Sequence, residues 1–99
     1  MPAEKVTNII LAALAAANAE RRADERFAVG EDTRLFGEDA VLDSLTLVSV
    51  IVDVETALRD EFGVAISLTD DRAVSRPVSP FTDVRTLRAY VLELLAETK

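Results

Sequence analysis

Apolar positions divide the chain into three stretches with helical spacing. From about Ala3 to Arg26 they recur three and four residues apart, and a charged cluster from Glu20 closes the stretch. In residues 84–94 they fall at i, i+3, i+7 and i+10, after Thr82 or Asp83 as the N-cap. Such spacings place side chains on one face of an α-helix, so both stretches are predicted to be amphipathic helices.

The middle stretch predicts a helix of a different kind. It begins at Asp43 and Ser44, either of which is a good N-cap, and runs to Phe62 before a stop at Gly63. Seven of the ten residues 45–54 are apolar, and they point all round the helix instead of along one stripe. Two interpretations stay open: tight packing between two neighbouring elements, or an apolar surface that faces a ligand chain or a partner protein.

The connection between the first two helices is long and partly apolar. Gly30 breaks the first helix, and the chain then passes through Leu35, Phe36 and Gly37 before the next N-cap. We expect the apolar side chains of this connection to pack onto the core.

A short helix is predicted before the last long one. Capping residues at 67–71 precede one or two turns over Asp70 to Ser75, and Pro77 and Pro80 forbid a continuation. No repeat or linker is visible, so residues 1–99 are predicted to form a single all-α domain. Three longer helices and one short helix would make a four-helix bundle.

Composition excludes many kinds of chemistry. The chain is 49% apolar with three Gly and three Pro, so it is expected to fold. It contains no Cys and no His, which removes thiol and imidazole nucleophiles, disulfides and zinc sites built on those residues. A hydrolase with paired carboxylates would need a concave pocket that a small bundle has little volume to form. Any chemistry must use hydroxyls, carboxylates or a borrowed group.

The net charge is −7, which disfavours nucleic acid and anionic lipid as partners. Residues 31–62, the acidic middle segment, hold nine acids and two bases and account for the whole excess. The segment is either a solvated face or a landing site for basic partners.

The N-terminus imitates a signal peptide, with Lys5, an apolar run and small residues up to Ala19. Against that interpretation, Thr7 and Asn8 interrupt the stretch, and the bundle needs this helix for its core. The apolar run from Ile9 to Ala17 is far shorter than the ~20 residues of a membrane span. We therefore expect a cytoplasmic monomer with no membrane association.

The tripeptide Asp43-Ser44-Leu45 stands after a long acidic loop and at the start of an apolar helix. Together with Leu35-Phe36-Gly37 before it and residues 60–66 at the end of that helix, it resembles the acyl carrier protein family and its peptidyl carrier relatives. The resemblance runs from about Leu35 to Tyr90.

The resemblance implies that Ser44 is a modification site. A phosphopantetheinyl transferase would attach 4′-phosphopantetheine from coenzyme A to its hydroxyl through a phosphodiester. Asp43 would help to place the metal ion used by that transferase, and Leu45 completes the motif. A helix N-terminus suits a phosphodiester, although Asp43 and Ser44 are equally suited to simple capping.

The same resemblance implies a carrier and not an enzyme. The thiol of the arm would hold acyl groups as thioesters between enzymes of a fatty acid, polyketide or lipid-type pathway. Its partners would be the transferase and acyl-transferring or acyl-activating enzymes with basic docking patches. The alternatives are an aminoacyl or peptidyl carrier, or an unmodified acidic helical domain that docks on a partner.

Three departures from the family pattern indicate a specialised bacterial carrier. Val41 stands where carriers commonly have Gly, and Thr46 and Ser49 stand where carriers of primary fatty acid synthesis have acids. Phe62 lies about one helical turn beyond the usual spacing from Ser44, which predicts a longer second helix.

Two further groups of residues are candidates for function. Exposed acids on the second helix are predicted to meet basic enzymes, because an exposed charge has no competing packing role: Asp53, Glu55, Asp60 and Glu61. Apolar residues of the second and short helices either line a groove for the acyl chain or belong to the core: Val48, Ile51, Val52, Leu68 and Val74.

Overall fold

The computed structural model describes residues 2–37, 40–68 and 79–97. Over these residues the chain is helical and forms no strand, which confirms the all-α prediction. The elements are α1 (Pro2–Ala19), a 3₁₀ turn (Ala23–Glu25), α2 (Ser44–Phe62) and α3 (Val84–Glu97). The predicted short helix over Asp70 to Ser75 lies outside the described residues, so a fourth helix stays a prediction.

The first helix ends at Ala19, so the predicted continuation to Arg26 is wrong. The side chain of Asn18 explains the early end, because it binds the backbone of Phe27 twice. Its Nδ2 donates to the Phe27 carbonyl at 2.9 Å, and its Oδ1 accepts from the Phe27 N–H at 3.1 Å. The chain must therefore fold back over the end of α1 instead of continuing as a helix.

Both predicted ends of α2 are confirmed. Asp43 is the N-cap, with extended backbone angles (φ −81°, ψ 173°), and its carboxylate accepts the Thr46 N–H at 2.7 Å. Gly63 follows the last turn with φ 68° and donates its N–H to the Arg59 carbonyl at 2.9 Å. Glycine is strongly favoured where the residue after a helix has left-handed backbone angles, so Gly63 determines where α2 ends.

The start of α3 is joined to the connection that leads into α2. Asp83 precedes the helix, and its Oδ1 accepts the Thr86 N–H at 2.8 Å, which confirms the second of the two predicted caps. An isolated antiparallel bridge pairs Arg34 with Asp83. The Leu35 N–H donates to the Thr82 carbonyl at 3.0 Å, so the two segments share backbone hydrogen bonds.

The core lies where α1 packs against both α2 and α3. Leu35 in the connection is fully buried, as expected. Phe36 is 55% exposed, so the expectation that the whole apolar connection packs inward is wrong for this residue. Buried side chains from the helices include Val6, Ile10, Leu14, Val50, Val54, Leu58, Val84, Leu87, Tyr90 and Val91.

None of the helices in the described part of the chain is both long and apolar enough to cross a membrane.

Candidate functional site

Ser44 is the first residue of α2 and follows the N-cap Asp43 directly. The backbone N–H groups of a first helical turn have no acceptor within the helix, and they carry the positive end of the helix dipole. The backbone of Ser44 therefore stands where a covalently attached anion is favoured. The side chain of Ser44 lies outside the described part of the structure.

Asp43 presents an ionised carboxylate beside this position. Hydrogen bonds from the side chain and the backbone N–H of Thr46 lower the pKa of Asp43, and the positive charge of Arg21 adds to the effect. The residue is exposed to solvent. A carboxylate that is both ionised and accessible is suited to contact a hard metal ion.

An apolar stripe runs along the outer face of α2, beginning one residue after Ser44. Leu45 is 83% exposed, Val48 57% and Val52 51%. They stand at i, i+3 and i+7, which places them on one side of the helix. We call these three residues the outer stripe. The apolar surface of α2 is thus not all packed between neighbours, which favours the second interpretation of its sequence.

The described members of the set predicted to line an acyl groove or to belong to the core divide between the surface and the core. Val48 and Val52 belong to the outer stripe, whereas Ile51 and Leu68 are buried in the core. Val74 lies outside the described residues. Of the two alternatives for this set, the core therefore holds for Ile51 and Leu68, which belong to the buried cluster.

A different apolar groove lies directly beside Asp43. It has a volume of about 370 Å³ and is lined by Leu35, Phe36, Gly37, Ala40, Leu42, Asp43 and Leu47. From the sequence, Leu35 and Phe36 are expected to pack onto the core and belong to the family resemblance, but nothing there indicates that they line a groove with Asp43. The Val41 N–H donates to the Arg34 carbonyl at 3.0 Å and so brings the two sides of this loop together, a contact that no local pattern reveals.

The four acidic residues assigned to partners fall into two groups. Asp53, Asp60 and Glu61 line one groove between α1 and α2. Asp53 and Asp60 are exposed, while Glu61 pairs with Lys5 at 3.0 Å. Glu55 lies elsewhere: it is half-buried, and its Oε2 accepts the Leu68 N–H at 2.7 Å. The expectation that all four are free exposed charges is therefore wrong for Glu55, which has a packing role.

Two acids at the start of the acidic middle segment are paired with α3. Arg85 Nε lies 2.8 Å from Asp32 Oδ1, and Arg88 forms an ion pair with Glu31. Arg88 also donates to Thr7 Oγ1 at 3.1 Å, which ties α1 into the network. Two acids of the acidic middle segment are thus compensated in space by basic residues of α3.

Comparison of the chain with protein-family models, with curated proteins and with solved structures found no significant match.

Proposed function

We propose that this chain is an acyl carrier whose Ser44 hydroxyl receives 4′-phosphopantetheine. In that reaction the Ser44 oxygen forms a bond to the phosphorus that carries the pantetheine arm of coenzyme A. The bond from that phosphorus to the bridging oxygen of the pyrophosphate breaks, adenosine bisphosphate leaves, and the hydroxyl proton passes to the transferase. The product is a phosphodiester on Ser44 with a thiol at the far end of the arm.

The observation that carries the proposal is the exposure of Leu45 at the start of α2. A leucine that is 83% exposed buries little apolar area and therefore contributes little to the stability of the fold. It directly follows the serine and stands next to the ionised carboxylate of Asp43. An enzyme that covers this corner would bury the leucine, meet the carboxylate and reach the serine at once.

The arm supplies the chemistry that the chain lacks. The sequence contains no Cys, so any thioester must form on a thiol that is brought in. The groove beside Asp43, with Leu35, Phe36 and Leu47 in its wall, is an apolar surface next to the N-cap that could shelter the start of an acyl chain. In the proposal, this groove takes the place of the predicted set of Val48, Ile51, Val52, Leu68 and Val74.

Basic partner enzymes are proposed to dock on Asp53 and Asp60. Both are exposed, and both line the groove between α1 and α2. Glu55 is removed from this role because its carboxylate is engaged by the Leu68 backbone. Glu61 shares its charge with Lys5 and is therefore a weaker contribution.

Thiol counting tests the proposal with little background, because the unmodified chain has no thiol. The protein is incubated with a broad-specificity phosphopantetheinyl transferase, coenzyme A and Mg²⁺, freed of coenzyme A, and titrated with a chromogenic disulfide. Wild type and the control Ser49→Ala should each show about one thiol per chain, and Ser44→Ala should show none. Circular dichroism of each variant verifies that it is folded.

A wild type that gains no thiol would overturn the carrier proposal. It would favour the second candidate, an unmodified helical domain that uses the outer stripe of α2 to bind a partner. The exposure of Leu45, Val48 and Val52 supports that candidate as well.

A further inference from the structure

Arg21 joins the end of α1 to the loop that leads into Ser44. Its guanidinium carbon lies 5.2 Å from the centroid of the Phe27 ring. Nη1 is 3.5 Å from the Glu25 carbonyl and Nη2 is 3.4 Å from the Val41 carbonyl. Val41 stands three residues before Ser44. A cation from the α1 side is therefore held against the chain immediately ahead of the proposed modification site.

The support for Arg21 is itself fixed by α1. Asn18 binds both the N–H and the carbonyl of Phe27, at 3.1 Å and 2.9 Å, so the backbone that carries the ring is held against the end of α1. Guanidinium groups stack well on aromatic faces, and their planar form is suited to phosphate. Arg21 is also half-buried, which limits the freedom that it would lose on binding an anion.

Arg21 and the first turn of α2 share one surface groove. The groove has a volume of about 470 Å³, and its wall includes Arg21, Asp43, Leu45 and Thr46. Within the described residues, the two carbonyl contacts engage two of the five N–H donors of the guanidinium. The remaining donors can serve a ligand in that groove.

A phosphodiester on Ser44 would need such a cation. It would add a negative charge directly beside the ionised Asp43, in a segment that already carries nine acids against two bases. Like charges this close repel one another. Arg21 already acts electrostatically on Asp43, so its charge reaches the same corner.

We propose that Arg21 binds the phosphodiester of modified Ser44 through a charge-assisted hydrogen bond, and thereby orients the first part of the arm. This inference rests on the proposed carrier function. It assigns Arg21 as a binding residue for the phosphate and gives it no contact with the acyl group.

The matched variants are Arg21→Gln, Arg21→Lys and Arg26→Gln. Arg26 belongs to the same charged cluster and is exposed, and its loss removes the same charge from the chain. The wild type and these three variants are each modified by the transferase with coenzyme A. An intact mass spectrum verifies that the arm is attached. Phosphorus-31 NMR of each loaded protein is then recorded at low and at high salt.

The wild-type phosphorus resonance should move when salt is raised, because screening weakens an exposed charge contact. Arg21→Gln should show the high-salt position already at low salt, and Arg21→Lys should lie between the two. Arg26→Gln should follow the wild type. A change in loop structure alone would not make the resonance of the variant coincide with that of the salt-screened wild type.

A second measurement uses the wild type and so does not depend on the folding of any variant. The Nε–H resonance of Arg21 should shift when the unmodified protein is converted to the loaded one, and that of Arg26 should not. Loading with an unchanged Arg21 resonance would overturn the assignment, as would equal phosphorus shifts in Arg21→Gln and Arg26→Gln. Failure of the arm to attach at all would instead contradict the carrier function itself.

Discussion

The carboxylate of Glu55 accepts a hydrogen bond of 2.7 Å from the backbone N–H of Leu68, thirteen residues further along the chain. Leu68 is fully buried, so its backbone N–H needs a partner within the protein. An acid that the sequence assigned to partner recognition therefore holds the segment after α2 against the helix. This single contact separates Glu55 from the exposed acids Asp53 and Asp60.

Replacement of Glu55 by Ala is expected to lower the free energy of unfolding by about 2 kcal/mol, because it leaves the Leu68 N–H without its charged acceptor. Glu55→Gln keeps an oxygen at that position and should lose about half as much. Asp53→Ala, on the same helix but exposed, should change stability by less than about 0.5 kcal/mol. Urea unfolding measures all three, and equal losses for Glu55→Ala and Asp53→Ala would contradict the assignment.

Truncation of two leucines of α2 should lower stability by very different amounts. Leu58 is fully buried, so Leu58→Ala is expected to cost about 2–5 kcal/mol of stability. Leu45 is 83% exposed, so Leu45→Ala should cost less than about 0.5 kcal/mol. Leu45→Ala should nevertheless slow modification by the transferase, since the leucine is proposed to be covered by that enzyme. A normal modification rate for folded Leu45→Ala would remove Leu45 from the proposed contact.

Asp83 should make the protein sensitive to acid. Burial raises the pKa of Asp83, but hydrogen bonds from Thr86 and the charges of Arg34 and Arg85 outweigh it, so the pKa is below the usual 3.8. The unfolded state then binds this proton more readily than the folded state. The stability that Asp83 contributes is present above the unfolded pKa and is lost as the pH falls through the lower folded pKa.

Asp83→Asn retains a capping oxygen but cannot titrate. Its unfolding free energy should therefore fall less steeply than that of the wild type as the pH is lowered below about 4. Urea unfolding at a series of pH values measures both slopes. Identical slopes would show that the folded state does not stabilise the ionised carboxylate of Asp83.

Charge reversal at Asp53 and Asp60 should slow the encounter with basic enzymes. Both side chains line the groove between α1 and α2, and the double variant Asp53→Lys, Asp60→Lys changes its sign. The second-order rate of modification by the transferase is expected to fall roughly tenfold at low salt. Glu4→Lys, an exposed acid of α1, should have a much smaller effect.

Added salt provides an independent check on that electrostatic contribution. Raising the ionic strength from about 0.01 M to 0.15 M shortens the screening length from about 30 Å to 8 Å, so the wild-type rate should fall toward that of the double variant. Rates that respond neither to charge reversal nor to salt would exclude electrostatic docking at this groove.

Local signals in the sequence predicted the elements of the fold well. Asp43 and Gly63 mark the two ends of α2 as expected, because N-capping and the left-handed glycine both depend on residues within one turn. The periodic stripe after Asp83 likewise predicted α3. The end of α1 was missed because it is set by Asn18 and Phe27, whose contact spans a loop.

The candidate site was predicted only where it depends on neighbours in sequence. Asp43 and Ser44 are candidates because of their motif, whereas the hydrogen bonds of Glu55 and Arg21 join them to Leu68 and Val41. Both are side chains that bind distant backbone groups. Charge and hydropathy patterns carry no information about such pairs, since each residue alone is typical of an exposed helix or turn.

The mass of the intact protein after modification tests the central claim most directly. Wild type, Ser44→Ala and the control Ser49→Ala are each treated with the transferase and coenzyme A and compared with untreated samples. Wild type and Ser49→Ala should gain the mass of one phosphopantetheine arm, and Ser44→Ala should remain unchanged. An unchanged wild type, or a Ser44→Ala variant that gains the same mass, would contradict the assignment of Ser44 as the modified residue.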